Sequence, residues 1–232
     1  MPGELPRSER SAIVRDSLGV GLATGTYGVS FGAVAVGAGL DVPQACALSL
    51  LMFTGASQFA MVGVLASGGP PLSGALTALL LGTRNTLYGL RMAPLLDWRG
   101  WRRAGAAHLL IDESTAMGVT RGSVSAARVG FLTTGWSIFV LWNVMTLVGA
   151  VAGTAIGDPR TYGLDAAVGA AFLALLWPRL SEPSNRVLAV LAAAVALGVV
   201  PFVAAGVPVL VAGGVALLAG VLRLGRPIGA PG

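Results

Sequence analysis

Two pairs of polar residues stand in apolar surroundings in this sequence, and their side chains suit binding or proton transfer. Arg84 and Asn85 follow a segment, residues 42–83, that has no charged side chain. Asp112 and Glu113 stand further along the chain. A planar guanidinium can hold a carboxylate through two parallel hydrogen bonds. A carboxylate can hold an ammonium group or take up a proton, so the two pairs together suit a zwitterionic solute.

Arg84 is open to three interpretations. A charge at the centre of a membrane helix costs about 2.5–3.5 kcal/mol on insertion scales, and it usually marks a functional path or a buried ion pair. In the second interpretation, Asp112 or Glu113 simply neutralises the arginine. In the third, the helix ends early and the Arg84 side chain extends to the lipid headgroups.

His108, the single histidine, precedes Asp112 by four residues. On one continuous helix these two side chains share a face and could exchange a proton. Chains of acidic residues and histidine are a common proton relay inside membranes. The alternative is a helix at the water interface whose polar face contains His108, Asp112 and Glu113.

The segment Gly55-Ala56-Ser57-Gln58 lies in the middle of an apolar run. A helix interrupted there offers N–H groups and a positive dipole end to an anion, and free carbonyl groups to a cation. Alternatively, Gly55, Ala56 and Ser57 form a close-packing patch in which the serine hydroxyl bonds back to its own helix. The residues alone favour neither interpretation.

The composition indicates the class of protein that must position these residues. The chain has 232 residues, of which 55% are hydrophobic and 11% charged, whereas soluble domains carry roughly 25% charged residues. Several uncharged stretches exceed the roughly 20 residues that cross a bilayer as a helix. We therefore predict an all-α, polytopic membrane helix bundle with about 6–7 transmembrane helices and broken or re-entrant segments.

The basic residues exclude several functions. All fifteen are arginines, most of them between apolar runs, where they set membrane orientation and do not indicate nucleic-acid binding. Because the chain has no lysine, it has neither the P-loop lysine that binds nucleotide phosphates nor an amine side chain that could form a Schiff base. Cys46 is the single cysteine, which excludes an intrachain disulfide and a cysteine-rich metal site. We expect no nucleotide, cofactor or metal, and no catalytic residue.

The chain divides into a tail at residues 1–16, one membrane-embedded transport domain at 17–222, and a tail at 223–232. The arginine distribution predicts that both tails are cytoplasmic. Placing Arg91–Arg103 on the same side requires that neither Val42–Ser67 nor Ala104–Val119 crosses as a simple helix. Irregular backbone at membrane depth is tolerated where it is buried in protein or lines a cavity.

Small residues recur at helical spacing in two runs, which predicts close helix packing. The first set is Gly21, Gly25, Gly28, Gly32, Ala35 and Gly39, and the second is Trp142, Thr146, Gly149, Gly153 and Gly157. Asn143 and Asp165 are weaker candidates for a functional role.

At these residues the sequence resembles the AzlC family of branched-chain amino-acid permeases, whose large subunits include YgaZ. The matching motifs are F-x-G-A-S-Q-F at Phe53–Phe59, R-x-x-L-Y-G at Arg84–Gly89, Asp112-Glu113-Ser114, the spacing of Trp142 to Gly153, and Gly163–Asp165. The family often has histidine where this chain has Asn85, and glycine where it has Met145. Asn85 cannot titrate, which weakens a proton role at that position.

The resemblance implies secondary, proton-coupled export of valine, leucine, isoleucine and in some relatives methionine across the bacterial inner membrane. It also implies a small AzlD-type partner subunit. For the substrate, the motifs and the residue types together predict a site of Gly55, Ala56, Ser57, Gln58, Arg84, Asn85 and Tyr88. For the amino group or proton they predict Asp112 and Glu113, and the spacing alone adds His108. Two alternatives are an intramembrane enzyme using Ser57 and His108, and a channel or structural subunit.

Overall fold

The computed structural model describes residues 5–156, 173, 176–203 and 207–224. These ranges leave out Gly157, the motif Gly163–Asp165, residues 1–4 of the first tail and residues 225–232 of the second. The described residues form helices, turns and connections, with no strand among them. The predicted all-α membrane helix bundle is therefore confirmed.

The helices begin and end at well-defined residues. They are α1 Arg7–Thr26, α2 Gly28–Gly37, α3 Val42–Leu51, α4 Ala56–Ala66, α5 Pro71–Leu96, α6 Gly100–His108, α7 Asp112–Val119, α8 Val124–Ile156, α9 Pro183–Val199 and α10 Val207–Leu224. Short 3-10 turns at Trp177–Ser181 and Val200–Phe202 flank α9.

Three helical segments of the described chain are long and apolar enough to cross a bilayer: Arg7–Gly37, Val124–Ala155 and Pro183–Phe202. Helix α5 has 26 residues, about 39 Å at 1.5 Å per residue, and it contains Arg84 near its middle. The number of 6–7 transmembrane helices stays a prediction.

The glycine face of α1 and α2 packs against α8, as its spacing predicted. A methyl group at Gly28 would lie 2.5 Å from the carbonyl oxygen of Trp142, and one at Gly32 would overlap the carbonyl oxygen of Thr146. From the other side, Gly149 meets the backbone of Val29 in the same way. Gly39 is the exception, because it lies in the turn after α2 with a φ of +95° and has no neighbour within 4 Å.

Both segments that the arginine distribution required to be irregular are broken. Helices α3 and α4, of 10 and 11 residues, are separated at 52–55, and α6 and α7, of 9 and 8 residues, at 109–111. None of the four is long enough to cross a bilayer. Pro71 begins α5 after the Gly-Gly-Pro interruption, since proline suits the first turn of a helix.

Several arginine-bearing segments lie together at one end of the bundle. Arg121 lies 4.0 Å from the Asp16 carboxylate of α1. Arg128 donates from Nε (3.0 Å) and Nη2 (2.6 Å) to the Leu96 carbonyl oxygen at the end of α5. We call this the arginine-rich end: the first half of α1, the last two turns of α5, the α5–α6 connection with the first turn of α6, and the α7–α8 connection with the first two turns of α8. The structure thus places on one side the segments that the positive-inside rule groups together.

Candidate functional site

The break between α3 and α4 is held by its own sequence. Gly55 has φ +58° and ψ −81°, a conformation that a residue with a Cβ adopts only under strain. Its N–H donates to Oε1 of Gln58 at 3.0 Å, and its carbonyl oxygen accepts from the Phe59 N–H at 3.1 Å. Gln58 is fully buried. The glutamine therefore satisfies a donor at the start of α4 that would otherwise be unpaired.

The break between α6 and α7 has the same kind of lock. The hydroxyl of Ser114 accepts from the Ile111 N–H at 3.1 Å and donates to the Leu109 carbonyl oxygen at 2.6 Å. This bonding ends α6 at His108 and begins α7 at Asp112. The predicted continuous helix with His108 and Asp112 on one face is therefore wrong, because the backbone turns between them.

Arg84 joins the two breaks. Its Nη1 lies 3.3 Å from Oδ2 of Asp112, and its Nη2 lies 3.5 Å from the carbonyl oxygen of Thr54. The Arg84 and Asp112 side chains are 29% and 37% exposed, so the ion pair is only partly buried in the protein. Of the three interpretations of Arg84, the ion pair is present. The early helix end is wrong, since α5 continues for twelve residues beyond it to Leu96.

Buried polar atoms without a hydrogen-bond partner are concentrated around this junction. Because buried polar groups in proteins are nearly always paired, such a group is unusual and suits a polar solute. The described atoms of this kind on the two broken segments and α5 are Thr54 Oγ1, Ser57 Oγ, Gln58 Nε2, Arg84 Nε, Asn85 Oδ1, Asp112 Oδ1 and Thr115 Oγ1. The set contains donors and acceptors, as a zwitterion needs.

Three residues of the Gly55–Gln58 segment are buried, with Ala56 at 9%, Ser57 at 2% and Gln58 at 0% exposure, and Gly55 is half-buried. The alternative in which the Ser57 hydroxyl bonds back to its helix is wrong, because that oxygen has no partner. The hydroxyl lies 3.8 Å from where a methyl group at Gly82 would be. Ser57 thus faces α5 two residues before Arg84.

A cleft of about 990 Å³ leads to this junction, a size in the range of small-molecule sites. Its wall includes Gly39, just after α2, and the start of α5 at Pro71, so it extends to the end of the bundle opposite the arginines. Most of the wall is apolar. The polar side chains that line it belong to Gln44, Thr54, Asn85 and His108.

The remaining predicted residues lie beside the junction. His108 packs on Phe139 and Phe53, with ring centroids 5.4 and 6.2 Å apart. Tyr88 is half-buried one turn after Arg84. Glu113 is half-buried beside Asp112. His108 therefore lines the cleft itself, packed on two aromatic rings, and is separated from Asp112 by the turn at 109–111.

Three residues at the junction were not predicted from the sequence to belong to the site. Thr54 offers the carbonyl oxygen that faces Arg84, and its place directly before Gly55 was the available signal. Thr115 follows Asp112 by three residues, a spacing that puts both on one helix face. Trp142 stacks on Phe31 with centroids 6.2 Å apart and lies against Gly55; its pattern had indicated helix packing alone.

The comparisons with known proteins decide the family. The family model described as AzlC protein matches residues 19–156, which is more than half of the chain and includes both breaks and Arg84. The chain belongs to the AzlC family. The resemblance seen in the motifs is thereby confirmed.

Two relatives of this AzlC protein are described as uncharacterized membrane proteins, both from Helicobacter pylori. The protein of strain 26695 is 26% identical over 68% of this chain and 70% of its own length. The protein of strain J99 is 27% identical over 73% of this chain and 75% of its own. No solved structure matches the chain significantly.

Proposed function

We propose that this AzlC-family protein is the large subunit of a secondary transporter that exports branched-chain amino acids, with methionine as a further substrate. The observation that carries the proposal is the Arg84 guanidinium, held between Asp112 and the Thr54 carbonyl where two broken helices meet. Discontinuous helices of this kind commonly form the substrate site of secondary transporters.

The ion pair supplies a binding mechanism. A zwitterion offers its own carboxylate to Arg84 and its own ammonium to Asp112, so it replaces one ion pair by two. Asp112 Oδ1 and Arg84 Nε are buried and unpaired and are available for this exchange. The start of α4 adds a positive dipole end for the carboxylate.

Asp112 and Glu113 are our candidates for proton coupling. Glu113 is half-buried beside Asp112, and its charge interacts with those of Asp112 and Arg84. A proton taken up here weakens the hold on the ammonium group, which couples release to the proton gradient. The family departure at Asn85 removes a titratable group from the cleft, so the carboxylates remain as the carriers.

The apolar wall of the cleft suits an aliphatic side chain. Leu48, Met52 and Met61 line it, and methionine adapts its shape to side chains of different branching. The preference for branched-chain substrates and the export direction rest on the family. We place the protein in the inner membrane. By the positive-inside rule, its arginine-rich end and both termini face the cytoplasm, and the cleft faces the outer side. We expect a small AzlD-type subunit as partner.

Two other functions receive less support. An intramembrane protease would need Ser57 beside His108, but the Ser57 hydroxyl has no hydrogen-bond partner and His108 packs on Phe53 and Phe139. A channel would conduct without saturation or stereoselectivity. Transport of L-leucine that saturates and excludes D-leucine separates a carrier from a channel.

Counterflow of labelled L-leucine in proteoliposomes, with and without the small partner, tests the role of Arg84. We expect Arg84→Ala to lower transport about 10- to 150-fold, the value of a lost charged hydrogen bond, and Arg84→Lys to restore part of it. Arg91→Ala is the matched control, because Arg91 is exposed on the same helix and should leave transport unchanged. Wild-type transport by a folded Arg84→Ala protein would overturn the proposal.

A further inference from the structure

The end of the α5–α6 connection and the first turn of α6 expose a cluster of arginines around one tryptophan. Arg99, Arg102 and Arg103 are all exposed, and Trp101 between them is 92% exposed. None of the three arginines has an ion pair or a side-chain hydrogen bond among the described residues. We call these four residues the Trp101 surface.

The backbone holds this surface in place. Asp97 ends α5 in the left-handed region with φ +47°, and Gly100 has φ +55°. Trp98, between them, is half-buried beneath the Arg128 guanidinium, 5.6 Å from its ring centroid. With Trp98 anchored inward and the chain turned at both flanking residues, Trp101 points away from the bundle.

The charge of the surrounding region is strongly positive. The described part of the arginine-rich end has nine arginines, at positions 7, 10, 15, 91, 99, 102, 103, 121 and 128, and three acidic residues, at 9, 16 and 97. Asp16 already lies near Arg15 and Arg121. The three acidic residues of this end are thus too few to neutralise its nine arginines.

We propose that the Trp101 surface binds the headgroups of anionic phospholipids. Arginines at a membrane surface attract anionic lipids, and an exposed indole beside them settles at the headgroup level. A membrane is a better match than a soluble phosphate, because a free ion would not use the exposed indole. The surface fixes the depth of the arginine-rich end in the bilayer.

Native mass spectrometry of the full chain in detergent tests this with dioleoyl phosphatidylglycerol against dioleoyl phosphatidylcholine. We expect the anionic lipid to bind the wild type at least about tenfold more tightly, and Arg99→Gln/Arg102→Gln/Arg103→Gln to remove most of that preference. The control Arg7→Gln/Arg10→Gln/Arg15→Gln changes the same charge at the same end and should keep it.

Three results would overturn the proposal. In the first, both triple variants lose the same amount of lipid preference, which would indicate net charge alone. In the second, inorganic phosphate at equal concentration displaces the lipid, which would indicate an ion site. In the third, the substitution Trp101→Ala leaves lipid binding unchanged but abolishes copurification with a small membrane subunit, which would indicate a protein interface. If the triple variant does not fold, Trp101→Ala keeps the charge and should lower lipid affinity by itself.

Discussion

The contact of α1 and α2 with α8 and the junction at Arg84 are opposite solutions to burying backbone in a membrane protein. In the first, glycines bring helices so close that Gly28 and Gly32 of one meet the carbonyl oxygens of Trp142 and Thr146 on the other. In the second, two helices are broken, and polar atoms meet without being fully paired.

The difference indicates which region is rigid and which binds. Helices that touch through their backbones gain dispersion contacts and cannot separate without losing them. At the junction, one ion pair and one long hydrogen bond of 3.5 Å hold Arg84, and a solute can replace both. We infer that α1, α2 and α8 form the scaffold against which the substrate site works.

The largest effect that tests this contrast is expected from Gly32→Ala. The added methyl group would overlap the Thr146 carbonyl oxygen and lie 2.6 Å from the Ala150 nitrogen, and backbone atoms cannot turn aside. We expect a loss of about 3 kcal/mol or more in the free energy of unfolding, measured by thermal unfolding in detergent. The control Gly19→Ala, on α1 with no neighbour within 4 Å, should be neutral or stabilising. Equal melting temperatures would show that the interface is loose.

A smaller effect is expected from Gln58→Ala. It removes the acceptor of the partly buried Gly55 N–H, which costs about 1–3 kcal/mol. The change also displaces α4, so leucine transport should fall as well. Gln44→Ala is the matched control, because Gln44 makes the same hydrogen bond to Asp41 at 3.0 Å in an exposed turn. Its unfolding free energy should change less, since water replaces the bond. If both variants lose the same stability, burial of the break is not what matters.

The smallest effect is expected from His108→Phe. The phenyl ring keeps the packing on Phe53 and Phe139, and the chain turns between position 108 and Asp112. Transport in proteoliposomes should stay within about twofold of wild type, a difference worth under 0.5 kcal/mol, with the same dependence on pH. A shifted pH profile would return His108 to the coupling path.

Most of the helical architecture could be predicted because it depends on local sequence. Gly-Gly-Pro-Pro must interrupt a helix. The run of glycines on α1 and α2 predicted a packing face. These features were confirmed because the neighbouring residues that determine them lie within one or two helical turns.

The break at 109–111 was located only in part. The arginine distribution required an irregular segment between Ala104 and Val119, but the apolar residues Leu109–Ile111 are themselves compatible with a helix. Ser114 decides otherwise, because its hydroxyl bonds to Ile111 and Leu109 in a buried position. Serine makes such bonds at helix starts generally, and burial makes this one decisive.

The sequence by itself determined that this is a helical membrane protein, and it predicted interrupted segments and an arginine in an otherwise apolar run. Only the tertiary structure decided that Arg84 pairs with Asp112, that it also faces Thr54, and that α8 receives the glycine face. Arg84 and Thr54 are 30 residues apart, and Ser49 meets Thr146 across 97. The charge of Arg84 and the glycine spacing indicate that a partner residue or helix is needed. Which residue or helix it is depends on how all the helices pack together.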